Sequence, residues 1–216
     1  MKKIEYYFDF LSPYSYLSWN WVRNKKDVLK EKGFEFEFIP VPMASLIQSH
    51  ETKGPAQIKP KREYLFKDCL RFSSMNEIPF ETPKEIPFNS LYGLRCATSC
   101  NAGDDQFDVI DTIFMEGWGR GEDIGNPEKL EALFEQRKLP GKKLLDRVGD
   151  NDVRKELKMN LKRAKESDLF GVPSFIVDGE MFWGNDSIQW LEKFLDGNDP
   201  LSKQHFDSFV QKYQDV

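Results

Sequence analysis

An alternating run near the start of the chain, Ile4, Tyr6, Phe8 and Phe10 against Glu5, Tyr7 and Asp9, stops at Ser12-Pro13-Tyr14-Ser15. The period of two predicts a strand with one strongly apolar face. Serine suits a helix N-cap and proline the first helical position, so Ser12-Pro13 predicts a helix start. After Gly33 a second alternation sets Phe34, Phe36 and Phe38 against Glu35 and Glu37, and Pro40 and Pro42 end it. A strand, helix, strand unit of this length predicts a right-handed parallel crossover.

A second segment, Leu169 to Asp186, supplies the other half of such a fold. Val172-Pro173 is expected to be cis, because only proline lowers that cost to roughly 0.5–1 kcal/mol. Ser174 to Val177 reads as a short strand, Asp178-Gly179 as a hairpin turn and Glu180 to Trp183 as the returning strand. Gly184-Asn185-Asp186-Ser187 then opens a helix carrying Ile188, Leu191, Phe194 and Leu195 at helical spacing. The amides of its first turn form a docking place for a carboxylate.

Between these ends, helical stretches are expected at Arg62 to Ser73, Asn89 to Asn101, Gln106 to Glu116, Pro127 to Gln136 and Asp152 to Glu166, punctuated by prolines 79, 83, 87, 127 and 140. The fold class is therefore α/β: a thioredoxin-like domain, residues 1–42 and 168–216, with a large helical domain, residues 43–167, inserted into it. Pro200 to Val216 reads as a packed amphipathic helix.

In such a fold the Ser12-Pro13-Tyr14-Ser15 loop takes the place of the Cys-x-x-Cys pair, with serine at both cysteine positions. A hydroxyl cannot exchange disulfides, so dithiol oxidase chemistry is not expected. The three cysteines, Cys69, Cys96 and Cys100, fall in the insertion. Cys96 and Cys100 are four apart in a helical stretch and would share a face; they read as small buried or half-buried side chains rather than a metal pair, because only two histidines accompany them.

A net charge of −5 leaves no basic footprint for nucleic acid, and 39% hydrophobic with 14% aromatic residues excludes a disordered chain. No run is long and apolar enough for a membrane span, and Met1-Lys2-Lys3 leads directly into a strand, so the expectation is a cytoplasmic protein acting on a small molecule. Self-association as a homodimer is left open.

Phe8-Asp9-Phe10-Leu11-Ser12-Pro13-Tyr14-Ser15-Tyr16-Leu17, Phe170-Gly171-Val172-Pro173-Ser174-Phe175 and Phe182-Trp183-Gly184-Asn185-Asp186 together resemble the 2-hydroxychromene-2-carboxylate isomerase family, kin of kappa-class glutathione transferases and of DsbA-type oxidoreductases. Pro87-Phe88-Asn89 with Arg95, and Glu116-Gly117 with Glu122-Asp123-Ile124 and Pro127, extend the resemblance through the middle of the chain. It implies glutathione as cofactor, with the thiolate adding to a conjugated carbon, rotation about the resulting single bond, and elimination.

On that basis Ser12 is the candidate catalytic residue, donating to the glutathione sulfur at a helix N-terminus, with Pro13 and Tyr14 beside it. The backbone of Val172, before Pro173, would pair with the glutathione backbone in the manner of strand addition. Asn185, Asp186 and Ser187 would take the γ-glutamyl end, Asp186 facing the ammonium group. Lys53, Lys61 and Arg62 are candidates for the glycyl carboxylate, Lys53 and Arg62 first among them. Phe88, Asn89 and Tyr92 are the candidate substrate residues, with Tyr14, Trp118 and Trp183 as further aromatic walls. The family pattern of a lysine and then an asparagine meets Gln48 and Thr52 here, which bears on the chromene substrate more than on glutathione. A transferase acting on another electrophile and a non-catalytic thioredoxin-like binding or chaperone module are the alternatives.

Overall fold

The computed structural model describes residues 1–214. Four strands, β1 (Lys2–Phe8), β2 (Phe34–Pro40), β3 (Ser174–Val177) and β4 (Glu180–Trp183), form one sheet in the order β2-β1-β3-β4. β1 and β2 run parallel, with Lys2 opposite Phe34 and Phe8 opposite Pro40. β3 runs antiparallel to β1, and β4 antiparallel to β3. Helix α1 (Pro13–Glu31) links the parallel pair. The turn between β3 and β4 is Asp178-Gly179, both at positive φ (51° and 85°), as a two-residue hairpin loop requires.

The strands come from the two ends of the chain, and everything between β2 and β3 is helix or loop. In chain order the helices there are α2 (Met43–Gln48), α3 (Lys59–Met75), α4 (Leu91–Cys96), α5 (Ser99–Ala102), α6 (Gln106–Arg120), α7 (Pro127–Gln136), α8 (Gly141–Asp146) and α9 (Asn151–Glu166). After β4 follow α10 (Ile188–Leu195) and α11 (Lys203–Gln214). The fold is a thioredoxin-like sheet unit carrying a large helical insertion. No helix among the described residues is long and apolar enough to cross a membrane.

The alternation in β1 builds one apolar face, but both faces are covered. Ile4, Tyr6, Phe8 and Phe10 are fully buried in the main core with Trp19 and Phe114. Tyr6 stacks on Phe8 at 5.2 Å and on Phe175 at 4.8 Å between ring centroids. Each such buried side chain contributes about 1.5–3 kcal/mol by leaving water. Tyr7, expected on the polar face, is equally buried, in a second cluster with Ile39, Val41, Leu46, Ala164, Leu169 and Val172. The helices α2 and α9 of the insertion close over that face, which local alternation does not reveal.

Three expectations need correction. The helix expected over Asn89–Asn101 is two helices, α4 and α5, because Thr98 is extended (φ −65°, ψ 147°) between them. Its hydroxyl donates back to the Arg95 carbonyl at 2.8 Å, and Glu156 of α9 accepts from the Ser99 and Cys100 amides at the new helix start. Cys96 and Cys100 therefore share no helical face, and Cys100 is exposed while Cys69 and Cys96 are buried. The terminal segment is helical as α11, but it is not packed: Phe206, Phe209 and Tyr213 are 52%, 54% and 66% exposed. The last two residues of that expectation, 215 and 216, lie outside the described residues.

Candidate active site

Ser12 caps α1. Its backbone is extended (φ −92°, ψ 114°), Pro13 follows at the first helical position, and its Oγ accepts from the Ser15 N–H at 3.2 Å. Among the described residues the Ser12 hydroxyl makes no bond as a donor, so its proton is free to be given to a bound group. Ser15 is fully buried, and its Oγ has no partner among the described residues.

The sheet register brings the second motif to the same place. Tyr7 lies opposite Ser174 on the antiparallel strand, so Pro173 and Val172 continue alongside Phe8 and Asp9, next to the loop that carries Ser12. The Val172-Pro173 peptide is cis. Neither the N–H nor the C=O of Val172 meets a protein partner among the described residues, although the side chain is buried. An unpaired backbone group at a buried position is uncommon and suits an extended ligand.

The Pro173 carbonyl accepts from Gly184 N–H at 2.9 Å, tying in the turn Asn185–Ser187 that precedes α10. Gly184 has φ +93°, and a side chain there would collide with the Asp186 carboxylate. Asn185 is buried, and its Oδ1 has no partner among the described residues. The turn is 3₁₀ and runs directly into α10, so the segment opens the helix as expected.

Tyr14 faces helix α3. Its hydroxyl donates to Asp68 Oδ2 at 2.8 Å. Burial, and then the bond to Asp68, push the Tyr14 phenol well above its usual range, and Asp186 adds in the same direction, so the two carboxylates share its surroundings. Beside it lies a cavity of about 390 Å³ lined by Tyr14, Pro55, Pro60, Lys61, Tyr64 and Leu65.

Of the residues expected at the site, Ser12, Pro13, Tyr14, Val172, Pro173, Asn185, Asp186 and Ser187 meet around the N-terminus of α1. Lys53 and Arg62 are exposed, and it is Lys61 that lines the cavity. Asn89 is exposed and Tyr92 half-buried, whereas Phe88 packs into the core. Trp118 is no cleft wall: it is buried, stacks on Phe80 at 5.7 Å and donates from Nε1 to the Phe10 carbonyl at 2.7 Å. Trp183 is half exposed and packs edge-on against Phe170 at 4.9 Å.

Two acids at the site escaped notice in the sequence. Asp68 shares a face of α3 with Lys61 and Leu65 at spacings of three and four, which was a usable signal. Asp9 looked like one more polar residue of an alternating strand.

The site leaves over a hydroxyl proton at a helix N-terminus, a free peptide group, an orphaned amide oxygen and flanking carboxylates. Residues 3–196 match the DsbA-like thioredoxin domain family. A 2-hydroxychromene-2-carboxylate isomerase of Sphingobium xenophagum is 27% identical over 197 residues, covering 90% of this chain and 98% of the relative. The human glutathione S-transferase kappa 1 is 24% identical over 208 residues, covering 90% and 91%. The structure of selenomethionine 2-hydroxychromene-2-carboxylate isomerase shares the fold at a TM-score of 0.80 and 24% identity, covering 90% of this chain and 94% of that one. The chain belongs to the DsbA-like thioredoxin domain family, and its likeness within that family extends to isomerases and kappa-class glutathione transferases.

Proposed function

We propose that this protein is a glutathione-dependent cis-trans isomerase of the 2-hydroxychromene-2-carboxylate isomerase type. The observation that carries the reading is the pairing of a thiol-free, Ser12-capped helix start with the unpaired peptide group of Val172 beside it. Bound glutathione would supply a thiolate able to add reversibly to an unsaturated, aromatic-derived substrate. Ser12 would give its free proton in a hydrogen bond to the sulfur, and the α1 N-terminus would add its positive end, both favouring the anion. Val172 would hold the peptide backbone, and Asn185, Asp186 and Ser187 the γ-glutamyl end. Lys61, which lines the cavity beside Tyr14, would be the cation for the glycyl end, with Lys53 and Arg62 the other candidates. Tyr14 and the apolar lining beside it would wall the substrate and exclude water.

A kappa-class-like transferase is the second reading, favoured by Gln48 and Thr52 in place of the family's lysine and asparagine. The two are separated by calorimetric titration with glutathione, followed by absorbance assays for isomerisation and for conjugation of a small electrophile. Binding with isomerisation and no consumed thiol supports the first; consumed thiol supports the second. Absence of glutathione binding would sink both and leave a non-catalytic binding or chaperone module.

A further inference from the structure

Asp9 lies between β1 and the Ser12 loop, only 2% exposed, and backbone donors from two separate segments converge on its carboxylate. Oδ1 accepts from the Leu11 N–H at 2.9 Å, and Oδ2 accepts from the Met43 N–H at 2.8 Å. The Asp9 carbonyl also accepts from Ser12 N–H at 3.0 Å. No cation is paired with this carboxylate among the described residues, and burial holds its pKa above the usual range despite the two backbone donors.

Each donor begins a piece of the site. Leu11 leads into Ser12. Met43 is the first residue of α2, whose preceding Pro42 offers no side-chain cap. A simple turn after β1 would need only the Leu11 contact. A buried carboxylate without a cation is costly, and an apolar side chain would occupy the space at lower cost. The contact to Met43 is therefore what this acid adds.

We infer that Asp9 is a positioning residue: one buried carboxylate sets the Ser12 loop and the start of α2 in register with one another. On the glutathione reading, which the sulfur-site part of this inference rests on, Asp9 thereby holds the Ser12 hydroxyl at the sulfur without touching it.

Asp9→Asn keeps the size but replaces one accepting oxygen with an amide that can only donate, so it must lose a backbone contact. In the full chain, hydrogen exchange should become about ten-fold faster or more in residues 10–16 and 43–48 together, with α6 unchanged. Met43→Pro deletes the Met43 N–H at a first helical position that suits proline, should speed exchange in the same two segments, and decides the matter if Asp9→Asn does not fold. With saturating glutathione, the pH midpoint of thiolate absorbance should rise by about half a unit or more in Asp9→Asn as Ser12 shifts. Affinity for S-methylglutathione, which has no thiol, should change less than about three-fold. Faster exchange confined to residues 10–16 in Asp9→Asn, faster exchange confined to residues 43–48 in Met43→Pro, or an unmoved or lowered midpoint would overturn the inference. A wild-type protein that binds neither ligand removes the glutathione reading and the sulfur-site role with it, while the exchange data still decide whether Asp9 joins the two segments.

Discussion

The Tyr14 hydroxyl donates to Asp68 across 2.8 Å, and this bond joins the first turn of α1 to the middle of α3. One partner belongs to the strand, helix, strand unit and the other to the helical insertion. The cavity beside them is lined from both sides. The wall of the site therefore depends on how the two parts of the chain are held together.

Tyr14→Phe should destabilise the protein by about 1.5 kcal/mol, the low end for a hydrogen bond to a charged group, because the pair is partly exposed. The pH dependence follows from the raised phenol pKa. The contribution of Tyr14 is fully present below the unfolded value of about 10 and is lost as pH rises from there toward the folded value, where the unfolded chain has released a proton that the folded one keeps. Urea unfolding of wild type and Tyr14→Phe at neutral pH and above pH 10 should show the gap between them narrowing. A gap that widens with pH would contradict the assignment.

Ser12→Ala should raise the pKa of bound glutathione's thiol by roughly one to two units, since a hydrogen bond to a charged group is worth about 1.5–3 kcal/mol. It also removes the α1 cap, with a loss of about 1 kcal/mol in stability. Thiolate absorbance under saturating glutathione reads the first effect and thermal unfolding the second. An unchanged midpoint would take Ser12 out of the mechanism and shift attention to Ser15 or Tyr14.

Trp118→Phe should act on stability and not on substrate affinity. The Phe10 carbonyl loses its indole donor, at about 1–3 kcal/mol for an unsatisfied buried acceptor. Chemical denaturation alongside Michaelis kinetics separates the two; a KM effect without a stability loss would restore Trp118 to the substrate wall.

The thiols should be poor reagents. Burial pushes Cys69 and Cys96 up to about 12, and partial burial followed by Glu156 pushes Cys100 up to about 11. Native protein at neutral pH should react with dithiobis(nitrobenzoate) slowly and only at Cys100, should lose that reaction in Cys100→Ser, and should not reduce insulin. Rapid labelling of Cys69 or Cys96, or insulin reduction at a thioredoxin-like rate, would refute the assignment.

Local chemistry alone determined several features of this protein. Phe8, Phe10 and the Ser12-Pro13 stop placed a strand end against a capped helix, because alternation and capping are written within a few residues. Asp178-Gly179 placed a hairpin for the same reason, whereas Pro173 made a cis bond at Val172 affordable without fixing it. The tertiary structure decided what covers these elements. Tyr7 and Asp9 sit on the strand face that looked polar, yet α2 and α9 arrive from distant sequence to bury them, and no local pattern encodes that arrival. The break at Thr98 answers to Glu156 on another helix, and the apolar side of α11 remains exposed because an amphipathic pattern states only that a face could be buried, not that a partner surface exists. The convergence of Ser12, Val172, Asn185 and Asp68 is likewise a product of sheet register and helix packing, which act over distances that residue spacing does not record.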